Sequence, residues 1–193
     1  MPKDYAALPL NHVRRADRAV DDETWIRALL HRAPVGVLST LHGDQPFANH
    51  NLFVYDEPVG VIYMHTARLG RTRANIEAAE RVCFSVSEMG RLLPAAVALD
   101  FSVEYQGVVV FGTGSIIEEP TAATEALQKL LDKYFPHLQP GRDYRPIIDE
   151  ELKRTAVYQI EIEQWSGKQK KAAEAFPGAF LYDRLPELQP SVG

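Results

Sequence analysis

Two periods organise the apolar positions of the chain. Trp25, Ile26, Leu29 and Leu30 recur at helical spacing behind Asp21, Asp22 and Glu23, and acidic residues suit a helix N-terminus. The pattern predicts a helix ending near Arg32, before Pro34. A second helix opens at Pro120, carries Ala126, Leu127, Leu130, Leu131, Tyr134 and Phe135 as its apolar stripe, and stops at Pro136. Arg68 to Glu80 reads as a loop leading into a short helix, and Asp149 to Arg154 as one helical turn. Elsewhere the signal is that of strands. Val35 to Leu41, Phe47 to Tyr55 and Gly60 to His65 are rich in β-formers and separated by turns at His42–Asp44 and Asp56–Pro58. Arg81 to Glu88 alternates strictly, Met89 to Leu99 reads as a loop, and Phe101 to Glu118 and Thr155 to Glu163 complete the set. Gly107, Gly112 and Gly114 are expected to mark bulges or bends.

The first three strands are joined by connections too short for crossover helices, so the sheet is antiparallel. Some seven mostly hairpin-connected strands with two or three helices predict a mainly β (α+β) fold, an antiparallel barrel with peripheral helices. Residues 1–20 show no period and are expected to form an extended arm. Residues 21–171 form the domain, and 172–193 an irregular tail packed on the body or on a partner chain.

Composition narrows the function classes. With 193 residues, one domain is expected. A net charge of −5 argues against nucleic acid as the main partner, and a 46% hydrophobic share excludes general disorder. Cys83 is the single cysteine, which rules out an intramolecular disulfide and a Cys-rich zinc site; its place on an alternating strand favours burial over catalysis. No apolar run is long enough for a membrane span, and the N-terminus lacks the apolar stretch of a signal peptide, so the expectation is a cytoplasmic protein.

Chemistry concentrates in two segments. His65 to Arg73 places three arginines, two hydroxyls and a glycine in nine residues between a strand and a helix. Guanidinium groups and helix N-terminal amides suit a phosphate; the competing reading is a solvated basic turn paired with Glu77 and Glu80. Gln164 to Lys168 offers Trp165 as a stacking face and Lys168 as a cation, against a tryptophan that merely closes the barrel. The histidines show no metal-ligand spacing, and no nucleophile elbow occurs.

Together, WIRALL near residue 25, YMHTARLGRTRAN, SEMGRLLP, VEYQGVVVFGTG and LKRTAVYQIEIEQWSGK resemble the FMN-binding split-barrel proteins related to pyridoxamine 5′-phosphate oxidase, and most of all their nitroimidazole-resistance branch. The resemblance implies a six- or seven-stranded split barrel forming a homodimer with FMN at the interface. His65, Thr66, Gly70, Arg71, Thr72 and Arg73 would hold the phosphate and ribityl chain. Ser39, Thr40, Asn49 and Asn51, with His50 beside them, would edge the ring, and Tyr105, Gln106, Trp165 and Lys168 would come from the partner. His65 matches a histidine implicated in the branch's redox chemistry. The implied activity is reduction of a small planar acceptor such as a nitroaromatic, with NAD(P)H as donor. Thr72 stands where the oxidases proper carry a second basic residue, and WSGKQKK lacks their arginine–histidine grip on substrate phosphate, so the resemblance does not extend to pyridoxamine phosphate oxidation. The alternatives are a flavin, haem or deazaflavin carrier without turnover, with His50 or His65 as the haem ligand, and a cofactor-free interaction protein.

Overall fold

The computed structural model describes residues 4–185; the outermost parts of the predicted arm (1–3) and tail (186–193) lie outside that range. Its strands are β1 (Ala19–Val20), β2 (Gly36–His42), β3 (Gln45–Asn51), β4 (Phe53–Asp56), β5 (Val61–Ala67), β6 (Arg81–Leu93), β7 (Ser102–Ile116) and β8 (Thr155–Lys170). Its helices are α1 (Glu23–Arg32), α2 (Arg71–Ala78), α3 (Pro120–Tyr134) and α4 (Asp149–Leu152). The strands form one antiparallel sheet in the order β3-β2-β6-β7-β8-β5-β4, with β1 added beside β8.

The two edge strands, β3 and β4, are consecutive in the chain and separated by Leu52 alone. The sheet therefore has to curl until its edges meet, giving a barrel split along that seam. Polar side chains bridge the seam where ladder bonds do not. Asn51 Nδ2 donates to the His65 carbonyl at 2.8 Å. The Tyr134 hydroxyl accepts from Phe53 N–H at 3.0 Å and lies within 2.9 Å of the Phe53 and Pro34 carbonyls. Backbone groups that an open edge would leave to solvent are thereby satisfied.

Ile62, Phe84, Val108, Val110, Tyr158 and Ile160 fill the interior. α1 packs Ile26, Leu29 and Leu30 into that core, and Asp22 caps it, accepting from Thr24 N–H at 2.8 Å. α2 buries Thr72, Asn75 and Ile76, while α3 lies outside over β4, β5 and β8, burying Ala123, Ala126 and Leu130. Gly112 sits where β7 shifts register against β8, and a Cβ there would lie 1.9 Å from the Glu161 carbonyl oxygen, so only glycine permits the approach.

Several expectations are corrected. The described residues form eight strands rather than six or seven, the extra one being the two-residue β1. The predicted arm is not simply extended: it also makes turns of 3-10 helix at Tyr5–Ala7 and Ala16–Arg18. Phe47–Tyr55 is not one strand, because the chain changes partner at Leu52. The expected loop after Glu88 continues as strand to Leu93 through a bulge between Met89 and Leu92. β8 runs on to Lys170, so the QWSGK segment lies within a strand. Of the three glycines expected at bulges or bends, Gly112 marks a bulge, while Gly107 and Gly114 sit at regular register positions.

Candidate functional site

The turn between β5 and α2 is built from the inside out. On α2, Thr72, Asn75 and Ile76 fall at spacings of three and four and face the barrel. Asn75 Nδ2 donates to Thr40 Oγ1 at 2.9 Å, and Asn49 Nδ2 donates to Thr72 Oγ1 at 3.1 Å. Thr66 Oγ1 lies 2.8 Å from the buried Tyr158 hydroxyl. These bonds fix the start of α2 against β2, β3 and β5, and so bring Thr40, Asn49, Asn51, His65, Thr66 and Gly70–Arg73 together at one end of the barrel. Ser39 lies on the opposite face of β2, beside Ala48 and Cys83.

The N-terminus of α2 is unlike those of the other long helices. Asp22 caps α1 and Glu119 caps α3 through their carboxylates, whereas the N-cap of α2 is Gly70, which has no side chain to offer. Its first intrahelical bond runs from Ala74 N–H to the Gly70 carbonyl at 3.2 Å, leaving the N–H groups of Arg71, Thr72 and Arg73 ahead of it. No acidic residue occupies that turn. The result is a set of directed donors at the positive end of a helix dipole, suited to an anion.

The three arginines divide. Arg73 is bound to Glu77 at 2.7 Å and to Glu118 at 2.6 Å, and Arg68 reaches Glu118 at 3.1 Å. Arg71 pairs with no carboxylate among the described residues; its Nη1 lies 3.1 Å and 3.2 Å from the two ring nitrogens of His42. The paired-turn reading thus describes Arg73 and Arg68, and the anion reading rests on Arg71. Local spacing does not mark Glu118 or His42 as partners of this turn, because one lies 45 residues from Arg73 and the other 29 from Arg71.

His65 faces away from the barrel interior, opposite Val157 on β8. Burial holds its imidazole below the ordinary value of 6.5. Its buried Nδ1 has no hydrogen-bond partner. It lines an apolar cavity with Leu52 and the C-terminal half of α3.

Tyr105, Gln106, Trp165 and Lys168 lie elsewhere. Trp165 is eight residues beyond Val157 along β8, about 26 Å at roughly 3.3 Å per residue. It shares a row with Val110 and Phe84, packs against the core, and carries the Arg27 guanidinium 5.0 Å from its ring centre. The reading of this residue as barrel closure matches that position. Tyr105 and Lys168 occupy the other face, with Lys168 Nζ 5.7 Å from the Tyr105 ring centre, while Gln106 Nε2 donates to Glu88 at 2.5 Å. Cys83 is half-buried on that outer face, and burial pushes its thiol up. Among the described residues no cluster of His, Cys, Asp and Glu could hold a metal ion, and no helix is long and apolar enough to cross a membrane.

A curled antiparallel sheet, split at one seam and carrying an uncapped helix start beside it, defines a split-barrel protein. The chain belongs to the pyridoxamine 5′-phosphate oxidase family, whose model matches residues 22–169. Solved structures share the fold. The flavocytochrome Anf3 from Azotobacter vinelandii is 22% identical, with 95% of this chain and 89% of that chain covered and a TM-score of 0.73. A FAD and heme binding protein from Mycobacterium smegmatis is 19% identical over 80% of this chain and 74% of that chain, with a TM-score of 0.71. A protein described as a 5-nitroimidazole antibiotic resistance protein from Bacteroides thetaiotaomicron is 16% identical over 78% of this chain and 86% of that chain, with a TM-score of 0.65. No curated protein matches the sequence.

Proposed function

We propose that the protein is a homodimeric FMN-dependent oxidoreductase that passes electrons from NADH or NADPH to a small planar acceptor such as a nitroaromatic. The observation that carries this reading is the α2 N-terminus: Gly70 leaves its N–H groups uncapped, and Arg71 is the arginine of the turn without a carboxylate partner among the described residues. That donor set fits a phosphate monoester, which is acceptor-only and doubly charged near neutrality. The names of two structural neighbours, a flavocytochrome and a FAD and heme binding protein, support a flavin, and that of a third, a 5-nitroimidazole antibiotic resistance protein, supports a nitroaromatic acceptor.

FMN bound there supplies the redox chemistry, and the protein supplies binding, orientation and electrostatics. Arg71 and the first-turn amides hold the phosphate. Asn49 and Asn75 keep the turn in place through Thr72 and Thr40. His65, kept neutral by burial and free of protein hydrogen bonds at Nδ1, would offer a hydrogen bond at that nitrogen to orient the acceptor. Tyr105 and Lys168 lie on β7 and β8, away from the β5–α2 turn in sequence and element, and in this reading a second copy brings them to the flavin. Cytoplasmic residence is part of the same reading.

The purified protein should be yellow, and the apoprotein should regain flavin absorbance on titration with FMN. Arg71→Ala should weaken FMN binding by about 1.5–3 kcal/mol, the worth of hydrogen bonds to a charged group. Fluorescence titration measures it, and unchanged affinity would place the phosphate elsewhere. A second reading, a haem carrier without turnover, draws on the same unbonded His65, since a free imidazole nitrogen can ligate iron. A Soret band in place of flavin bands would select it.

A further inference from the structure

We propose that the cavity beside His65 binds an uncharged, single-ring aromatic compound carrying one hydrogen-bonding group. The cavity measures ≈ 230 Å³, below the roughly 300–1,000 Å³ of pockets that take drug-sized ligands. An apolar void of about 150 Å³ accommodates benzene, so this one takes a single substituted ring and excludes FMN itself. Its walls are Leu127, Leu130, Leu131 and Phe135 from α3, Leu52 from the β3–β4 link, and Ile147. Leu52 and Phe135 stay exposed at 42% and 46%, which marks the open side.

Polar groups in the wall are few. Both oxygens of Glu151 are engaged, one by Arg145 at 2.9 Å and one by the Ile148 N–H at 3.1 Å. The hydroxyl of Tyr134, which also lines the cavity, is taken by the Phe53 N–H and the Phe53 and Pro34 carbonyls, so His65 is the polar side chain left to a ligand, with its Nδ1 buried and unpartnered. A neutral imidazole presents one N–H and one lone pair, so it can serve a hydroxyl or a ring nitrogen. An anionic ligand would lose its hydration here beside a carboxylate, and a cation would find that carboxylate already paired with Arg145. The ligand's role as electron acceptor rests on the flavin reading above; its binding does not.

Phenol, toluene and benzoate titrated into the protein as purified, followed by methyl NMR, test the site. Phenol and toluene should move the methyl signals of Leu127, Leu131 and Ile147 at millimolar concentration, and benzoate should not. His65→Leu should weaken phenol about three- to tenfold, the worth of one neutral hydrogen bond, and leave toluene little changed. Methyl signals unmoved by phenol, benzoate shifts as large as those of phenol, or a His65→Leu variant that binds phenol as before would each overturn the proposal. A colourless protein whose Leu127 and Leu131 signals still respond to phenol would sink the flavin reading and leave the cavity standing.

Discussion

At the scale of single residues, burial without a counter-charge sets the chemistry. Lys133 is the clearest case. Its ammonium donates to the Ala33 carbonyl at 2.9 Å, just past the end of α1, and sits 3.8 Å from the centre of the Phe53 ring. Burial lowers it from 10.5 to about 8. Between those values the unfolded chain holds a proton that the folded chain has released, so stability should rise with pH through that window. Urea unfolding of the wild type and Lys133→Met at a series of pH values checks this. The wild type should gain on the variant from pH 8 upward, and a constant difference would mean that the amine is not desolvated.

At the scale of elements, helix ends and strand ends divide between self-sufficiency and availability. α1 and α3 satisfy their own first turns, and α2 does not. The tail uses another device. Arg91 on β6 holds Glu104 on β7 through two bonds of 2.8 Å and donates to the carbonyls of Ala173 and Glu174, while Ala172 N–H donates to Glu104 at 2.8 Å. Leu92 and Phe180 add a backbone bridge. Hydrogen bonding from Arg91, reinforced by backbone amides, pulls Glu104 down to about 2. A depressed carboxyl stabilises the fold above its unfolded pKa, and that contribution fades as pH falls toward 2. Glu104→Gln should therefore be less stable than the wild type at pH 6, by roughly 1.5–3 kcal/mol for bonds to a charge, and the difference should shrink on acidification. Faster hydrogen exchange at residues 172–181 in the variant would trace the loss to the tail.

At the scale of the whole molecule, α3 covers the outer face of the sheet over β4, β5 and β8, while that face of β2, β6 and β7 stays half-exposed among the described residues. Cross-strand register lines up His50, Val37, Ser85, Val109 and Ser166 in one row, and Ala48, Ser39, Cys83, Phe111 and Gln164 in the next. Small side chains flanking Val109 and Phe111 make a surface on which a second copy can pack closely. In the dimer proposed above, that packing would carry Tyr105 and Lys168 of one copy toward the α2 turn of the other. Light scattering should give a dimer, and Val109→Asp should yield a monomer that no longer retains FMN. A wild-type monomer with full flavin content would remove the partner's contribution.

Periodicity alone determined much of this protein. The apolar stripes of α1 and α3, the alternation of β6 and β8 and the short connections specify an antiparallel sheet with helices outside, because side-chain spacing is a local property. The basic turn was legible for the same reason, as was Asn75 in retrospect, a polar residue in the inward stripe of α2. Only the tertiary structure decided which arginine is available, since Glu118 neutralises Arg73 across 45 residues of chain. It alone placed Trp165 on the core row, where strand parity, invisible without register, separates it from Lys168. It alone closed the cavity at His65, because the walls come from α3 and the β3–β4 link, and burial depends on what the rest of the chain brings alongside.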